Sequence, residues 1–133
     1  MKNHELINIK MLKLLAFYQE KLYQFQMKLS IKIVEYIKSL KVPAICFPRG
    51  IGENYVDFNS IVKPDCINID YELDPKWIKK KLNGTPIQGG LNPKILLTDK
   101  EKIKKNTENY LSIFSDYPYV FNLGHGFLPE TKP

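Results

Sequence analysis

The stretch CINIDYELDPKWIKKKLNGTPIQGG, residues 66–90, decides the fold because it contains a strand, a helix and a second strand in that order. The short apolar run at residues 66–70 predicts the first strand. Asp74 followed by Pro75 is typical of a helix N-terminus, and the helix is expected to run to the next glycine. Residues 86–88 predict the second strand, which leads into a glycine pair.

The same alternation extends in both directions. We predict further strands at residues 44–47 and 119–123 and a short helix over residues 55–62. Thr98 and Glu101 form a capping box that starts another helix, whose inward positions are Ile103, Tyr110, Leu111 and Phe114. Strands that alternate with helices indicate parallel strands joined by right-handed crossovers, so the predicted fold class is α/β.

The N-terminal part contains neither glycine nor proline from residue 5 to residue 40 and is expected to be helical. Its length exceeds the usual range of about 8 to 20 residues, so we expect a break or a frayed first half. One face at helical spacing predicts the buried side, formed by Leu29, Ile33, Val34, Ile37 and Leu40.

Composition limits the class of protein. The 133 residues suffice for one domain with a core, and a mean hydropathy of -0.29 leaves no apolar run of membrane-spanning length. The N-terminus does not resemble a secretory signal, so we expect a cytoplasmic protein with Cys46 and Cys66 reduced. The net charge of +6 comes mostly from lysines on predicted helix faces, which does not favour a nucleic-acid partner. No dinucleotide-binding, P-loop or serine-hydrolase motif is present.

Polar residues follow the predicted strands, where ligands gather in parallel α/β folds. Arg49 can bind carboxylates, and His125 can exchange a proton near neutral pH. Asn122 and Asp70 lie at the same strand ends. Each also has a structural interpretation: His125 as a turn residue, Arg49 as a surface charge, and Asp70 as a helix cap or the partner of a lysine.

A zinc site formed by Cys46, Cys66 and His125 is conceivable, although no CxxC or HxxxH spacing supports it. His4, in the N-terminal tail, is a weaker candidate for any site than His125.

Four segments resemble one known family. FNLGHGFLPETKP (121–133) resembles the C-terminal NLGHG motif of uroporphyrinogen decarboxylases, and PIQGGLNPKILL (86–97) resembles their QGNLDP segment. ICFPRG (45–50) is similar to a strand and loop ending in PKG, and CINIDY (66–71) to a GLDW or GIDW strand. Residues 26–133 are therefore interpreted as one partial family domain, preceded by a divergent helical lead-in at residues 1–25.

The resemblance implies the C-terminal half of a distorted TIM (β/α)8 barrel and an enzyme of heme biosynthesis without cofactor or metal. The implied substrate is uroporphyrinogen III, whose acetate side chains lose carbon dioxide to leave the methyl groups of coproporphyrinogen III. His125 corresponds to a family histidine that contacts the substrate, and Arg49 and Asn122 are additional substrate-binding candidates.

The sequence also departs from the family pattern. The family's two arginines and aspartate near the N-terminus have no match, Gly90 replaces an asparagine, and Asn92 replaces an aspartate that could cap the following helix. We therefore expect little activity from the chain alone, with a complementary N-terminal half or a second copy as partner. The alternatives are a non-catalytic remnant or interaction module, and a zinc-dependent, cobalamin-linked methyltransferase of the same fold family.

Overall fold

A computed structural model describes the backbone of residues 2–131 and the side chains of residues 17–131. Helices and strands alternate along this part of the chain. Their order is α1 (Lys2–Ser39), β1 (Ile45–Cys46), α2 (Tyr55–Val62), β2 (Cys66–Ile69), α3 (Pro75–Lys81), β3 (Ile87–Gly89), α4 (Lys100–Ile113) and β4 (Tyr119–Val120). Two 3₁₀ turns, Gly52–Asn54 and Pro93–Leu97, precede α2 and α4.

The four strands form one parallel sheet in the order β1-β2-β3-β4. Each strand therefore pairs with its neighbour in sequence, and each crossover contains one helix. The predicted α/β class with parallel strands is confirmed, although the strands are shorter than the apolar runs that predicted them. β4 ends at Val120, and an isolated parallel bridge between Leu91 and Leu123 resumes the pairing.

The core lies between one face of the sheet and the helices. Ile67, Ile69 and Ile87 are fully buried on this face, together with Tyr55 and Ile78 from α2 and α3. β-branched side chains suit this position because they pack well on a pleated surface. On the opposite face, Ile45 pairs in register with Cys66, and Val120 pairs with Gln88. The two edge residues of that face, Ile45 and Val120, are more than half exposed.

Helix α1 is continuous from Lys2 to Ser39, so the expected break is not found. It packs against α2, and Val34 and Ile37 lie on its buried side as predicted. Leu29 and Ile33 do not, since both are about half exposed, and neither does Leu40, which follows the end of the helix and is 57% exposed. The packed side instead includes Tyr23, Met27 and Ile31.

The misassigned residues belong to a second apolar face of the same helix. Successive members are three or four residues apart and thus share one side of a helix. We call this face the α1 stripe; it comprises Tyr18, Leu22, Phe25, Leu29, Ile33, Tyr36 and Leu40, which are between 49% and 68% exposed.

Helix starts differ in how well the sequence predicted them. Asp74 caps α3, because its carboxylate accepts a hydrogen bond from the Lys76 N–H at 3.0 Å, and Pro75 is the first helical residue, as predicted. The cap of α4 is Asp99 and not Thr98, since Asp99 Oδ1 accepts from the Lys102 N–H at 2.9 Å. On α4, Phe114 is buried, but Leu111 is 47% exposed and does not face inward.

Within the described residues, none of the helices combines the length and the apolar composition needed to cross a membrane.

Candidate functional site at the carboxyl end of the sheet

Asp70, directly after β2, organises the loop that follows β1. Its carboxylate is 7% exposed and accepts hydrogen bonds from the Gly50 N–H at 2.6 Å and the Tyr55 hydroxyl at 3.3 Å. The Arg49 Nε lies 3.9 Å from the other carboxylate oxygen. Both structural interpretations of Asp70 from the sequence are wrong, because its ionic partner is an arginine and its hydrogen bonds hold a loop.

Tyr55 contributes a neutral hydrogen-bond donor to this cluster. Burial of the ring, followed by the nearby negative charge of Asp70, raises the pKa of Tyr55 well above its ordinary value. The hydroxyl therefore stays protonated and donates a hydrogen bond to the carboxylate.

Arg49 remains available to a ligand. Its side chain is 59% exposed, and the single contact with Asp70 engages only one edge of the guanidinium. Arg49 also borders a groove of about 350 Å³ between α1 and the β1 loop, which is lined as well by Gln19, Leu22, Tyr23, Gln26 and Ile51. A guanidinium with free N–H groups can hold a carboxylate in a bidentate fork.

The glycine pair after β3 allows close approach of neighbouring elements. Gly89 has φ +82°, and a Cβ there would lie 2.4 Å from Asn68 Oδ1. The hydroxyls of Tyr119 and Tyr110 donate to the carbonyls of Gly89 and Gly90 at 2.7 and 2.6 Å. Burial raises the pKa of both tyrosines, so they act as fixed neutral donors that brace the turn.

The two departures from the family pattern in this segment have visible consequences. Gly90 adopts φ +92°, and a Cβ there would lie 2.9 Å from the Ile69 side chain. Asn92 keeps the capping role although it lacks a charge, because its side-chain oxygen accepts from the Lys94 N–H at 2.9 Å.

The loop after β4 crosses the end of β3 and reaches β2. The Gly124 N–H donates to the Leu91 carbonyl at 2.7 Å, and a Cβ at Gly124 would lie 2.6 Å from the Tyr71 backbone nitrogen. This approach places the His125 ring beside Tyr71, with centroids 5.5 Å apart and ring planes at 59°. Gly124 is therefore required for contact between loops. The backbone bends at Gly124 and His125, although neither Gly124 nor Gly126 has positive φ.

The predicted site residues are thus only partly brought together. Arg49 and His125 lie on either side of the consecutive residues Asp70 and Tyr71, and His125 is half-buried. Asn122 is exposed, and its side-chain oxygen accepts from the neighbouring Leu123 N–H at 2.8 Å, so it shapes its own turn. The side chain of His4 lies outside the described residues.

Sequence reasoning missed Asn68 in the middle of β2. It is 7% exposed, and its Oδ1 atom has no hydrogen-bond partner among the residues whose side chains are described. A buried polar group without a partner is costly and calls for an explanation. The available signal was a single amide in an otherwise apolar strand.

The residues of the conceivable zinc site do not converge. Cys46 pairs in register with Ile67, whereas Cys66 pairs with Ile45, so the two thiols project from opposite faces of the sheet. Both are free, and burial raises the pKa of each, which favours the protonated thiol over a zinc-binding thiolate. Between residues 17 and 131, no three His, Cys, Asp or Glu side chains are grouped for metal binding.

Comparison with known proteins identifies similar sequences. A family model described as uroporphyrinogen decarboxylase (URO-D) matches residues 16–133. The uroporphyrinogen decarboxylase of Cereibacter sphaeroides is 38% identical over 94 residues, which are 69% of this chain and 27% of that protein. The Rickettsia bellii enzyme is 39% identical over 117 residues, or 86% of this chain and 34% of its own. The Wolbachia pipientis enzyme is 40% identical over 89 residues, 67% of this chain and 26% of its own. The chain thus spans between a quarter and about a third of the length of these curated relatives.

Proposed function

The chain belongs to the uroporphyrinogen decarboxylase family, and we propose that it supplies part of an enzyme that converts uroporphyrinogen III to coproporphyrinogen III in the cytoplasm. The observation that carries the proposal is the family match over residues 16–133, which includes all four strand ends. The named relatives are uroporphyrinogen decarboxylases, and the expected substrate for this chain is the same class of macrocycle.

The chemistry requires groups that hold many carboxylates and that move protons. Protonation of a pyrrole carbon gives a cationic ring, which takes up the electron pair released when the bond between an acetate CH₂ and its carboxylate breaks. A proton added to that CH₂ gives a methyl group, and loss of the first proton from the ring carbon restores the pyrrole, so each acetate consumes one proton and releases one CO₂. The enzyme must orient the macrocycle and stabilise the transient charge.

Arg49 and His125 are the proposed substrate contacts. The exposed guanidinium of Arg49 suits a substrate carboxylate, and the tie to Asp70 limits where it can move. His125 lies beside Tyr71, and its imidazole ring can donate or accept a hydrogen bond. Asn122 is a third candidate, but only if the substrate displaces its hydrogen bond to the Leu123 N–H.

The complete site requires more of the fold than residues 1–133. We propose that the four parallel strands are half of a distorted (β/α)8 barrel, because this sheet has two open edges and the chain covers 27–34% of two relatives' lengths. The other half would come from a complementary N-terminal segment or from a second copy. The chain alone is expected to show little turnover.

The test is anaerobic incubation with uroporphyrinogen III, followed by mass spectrometry to count product carboxylates. The chain is assayed alone and together with an N-terminal segment of the Rickettsia bellii relative. We expect product only from the mixture, and a reduction of roughly a hundredfold when His125→Gln or Arg49→Gln is used. Lys105→Gln, on the exposed side of α4, is the matched control and should leave the rate unchanged.

Two results would count against the proposal. An inactive mixture that nevertheless assembles would show that these strand ends are not a decarboxylase site. Equal activity of the His125→Gln mixture would remove His125 from the substrate contacts. The first of these results, assembly without turnover, would support the non-catalytic interaction module, which the exposed α1 stripe favours.

A further inference from the structure

The described part of the chain contains half the elements of an eight-stranded parallel barrel, in complete units. Residues 2–131 contain four helices and four strands in strict alternation, and each strand follows its own helix. The sheet order β1-β2-β3-β4 leaves β1 and β4 unpaired on their outer sides within this region. Two such chains therefore hold eight strands and eight helices.

The exposed apolar surface lies where a neighbouring unit would pack. Ile45 and Val120, which lie on the edge strands β1 and β4 and on the sheet face opposite the helices, are 57% and 53% exposed. Leu111 on α4 is 47% exposed, and it lies roughly opposite Ile113 on the helix, whose side chain packs against the core. The α1 stripe forms the apolar surface at the other edge of the sheet, next to β1.

We propose that two copies of this chain close head to tail into one barrel, with β1 of each copy paired to β4 of the other. The α1 stripe of one copy then packs on the Leu111 side of α4 in the other. A closed parallel sheet of eight strands leaves an interior that side chains just fill, and closure removes both open edges. The two β1 to β4 contacts are equivalent, so the assembly ends at two copies and does not grow into a filament.

The proposed contact combines apolar side chains with a sheet edge. An interface of standard size buries about 800 Å² on each partner. The α1 stripe offers seven large side chains that are between 49% and 68% exposed, and a sheet edge adds backbone hydrogen bonds. The inference rests on the proposed function for one point only, namely that the carboxyl ends of the strands of both copies surround one shared substrate site.

The experiment measures the mass of the whole chain in solution, without substrate, by light scattering coupled to gel filtration. Leu29→Glu disrupts the α1 stripe, and Val120→Glu disrupts the edge at β4. Ile61→Glu is the matched control, because Ile61 is 53% exposed and lies on α2, which takes no part in either proposed contact. Circular dichroism verifies that each variant keeps its helix content.

We expect the unaltered chain and Ile61→Glu at twice the chain mass, and both edge variants as folded monomers. A monomeric unaltered chain would overturn the inference, and so would a ladder of larger species. A Val120→Glu variant that stays dimeric would also overturn it, because the copies would then be joined through α1 alone. These masses are independent of turnover, so an inactive mixture with the N-terminal segment would contradict the proposed function and leave this inference standing.

Discussion

At the scale of single residues, Gly124 controls the position of His125. A methyl group at this position would lie 2.6 Å from a backbone nitrogen, which cannot move aside as a flexible side chain can. The loop must therefore shift, and the contact between the rings of Tyr71 and His125 depends on that loop.

We predict that Gly124→Ala lowers the free energy of unfolding by about 2 kcal/mol, the usual range for overpacking. The His125 ring proton signals should also shift in NMR spectra, because the ring moves away from Tyr71. With two histidines in the sequence, His125→Gln assigns the signal. Gly126→Ala is the control, since a Cβ there meets nothing within 4 Å. Equal shifts for both variants would contradict the assigned role of Gly124.

Asp70 is the second residue on which the site depends. Replacement with alanine leaves the buried Tyr55 hydroxyl and the Gly50 N–H without their acceptor. We predict a loss of about 2 kcal/mol, mainly from the unsatisfied hydroxyl, because exposed Gly50 can bond to water. Urea denaturation measures it, with exposed Asp57→Ala on α2 as control. Indistinguishable midpoints for the two variants would show that the cluster adds nothing to stability.

At the scale of elements, local signals predicted most strands and helices but not all of their ends. Asp74 and Pro75 were sufficient to predict the start of α3, because an N-cap residue and a proline at the first helical position indicate the same boundary. Thr98 was mistaken for the cap because Asp99, the next residue, is an equally good one. The choice depends on the 3₁₀ turn that ends at Leu97, and the capping pattern carries no information about that turn.

Helix α1 shows a different limit of sequence reasoning. It carries two apolar faces, and periodicity cannot tell which of them meets the core. The face with Val34 and Met27 packs on the domain, whereas that of Leu22 and Phe25 is exposed. The missed Asn68 has a similar cause, because its surroundings include Gly89, which comes from a distant part of the sequence.

Carboxylates at the starts of elements make stability depend on pH. The Ala44 N–H lowers the pKa of Asp65, and the Lys102 N–H lowers that of Asp99. The stability that these two carboxylates contribute is fully present above their unfolded-state pKa of about 3.9. It is lost as the pH falls through the lower folded-state pKa.

We therefore predict that the urea midpoint falls steeply below about pH 4. The double variant Asp65→Asn and Asp99→Asn should show a shallower fall over the same range. Asp57→Asn serves as the control and should follow the unaltered chain. Parallel curves for all three proteins would show that these hydrogen bonds do not couple to protonation.

At the scale of the whole molecule, alternation of strands and helices predicted the parallel sheet because each crossover is short and local. Because the strands are parallel, the carboxyl ends of β1, β2 and β4 lie at the same end of the sheet, and this brings Arg49 and His125 to that end. The partner of the two edge strands, in contrast, is not determined by this local alternation, and the net charge of the chain affects how a second copy binds there.

Each copy carries a net charge of +6, so two copies repel each other. Lys21, Lys28 and Lys32 border the α1 stripe beside Phe25 and Leu29, which concentrates this repulsion at the proposed contact. The Debye length shortens from about 10 Å at 0.1 M salt to about 3 Å at 1 M, while apolar burial is not weakened. Sodium chloride should therefore strengthen dimerisation, on the order of tenfold across this range. Sedimentation equilibrium measures the effect, and replacing the three lysines with glutamine should reduce the salt dependence. A dimer that dissociates as salt rises would instead be held by ion pairs, and the apolar stripe would not be its interface.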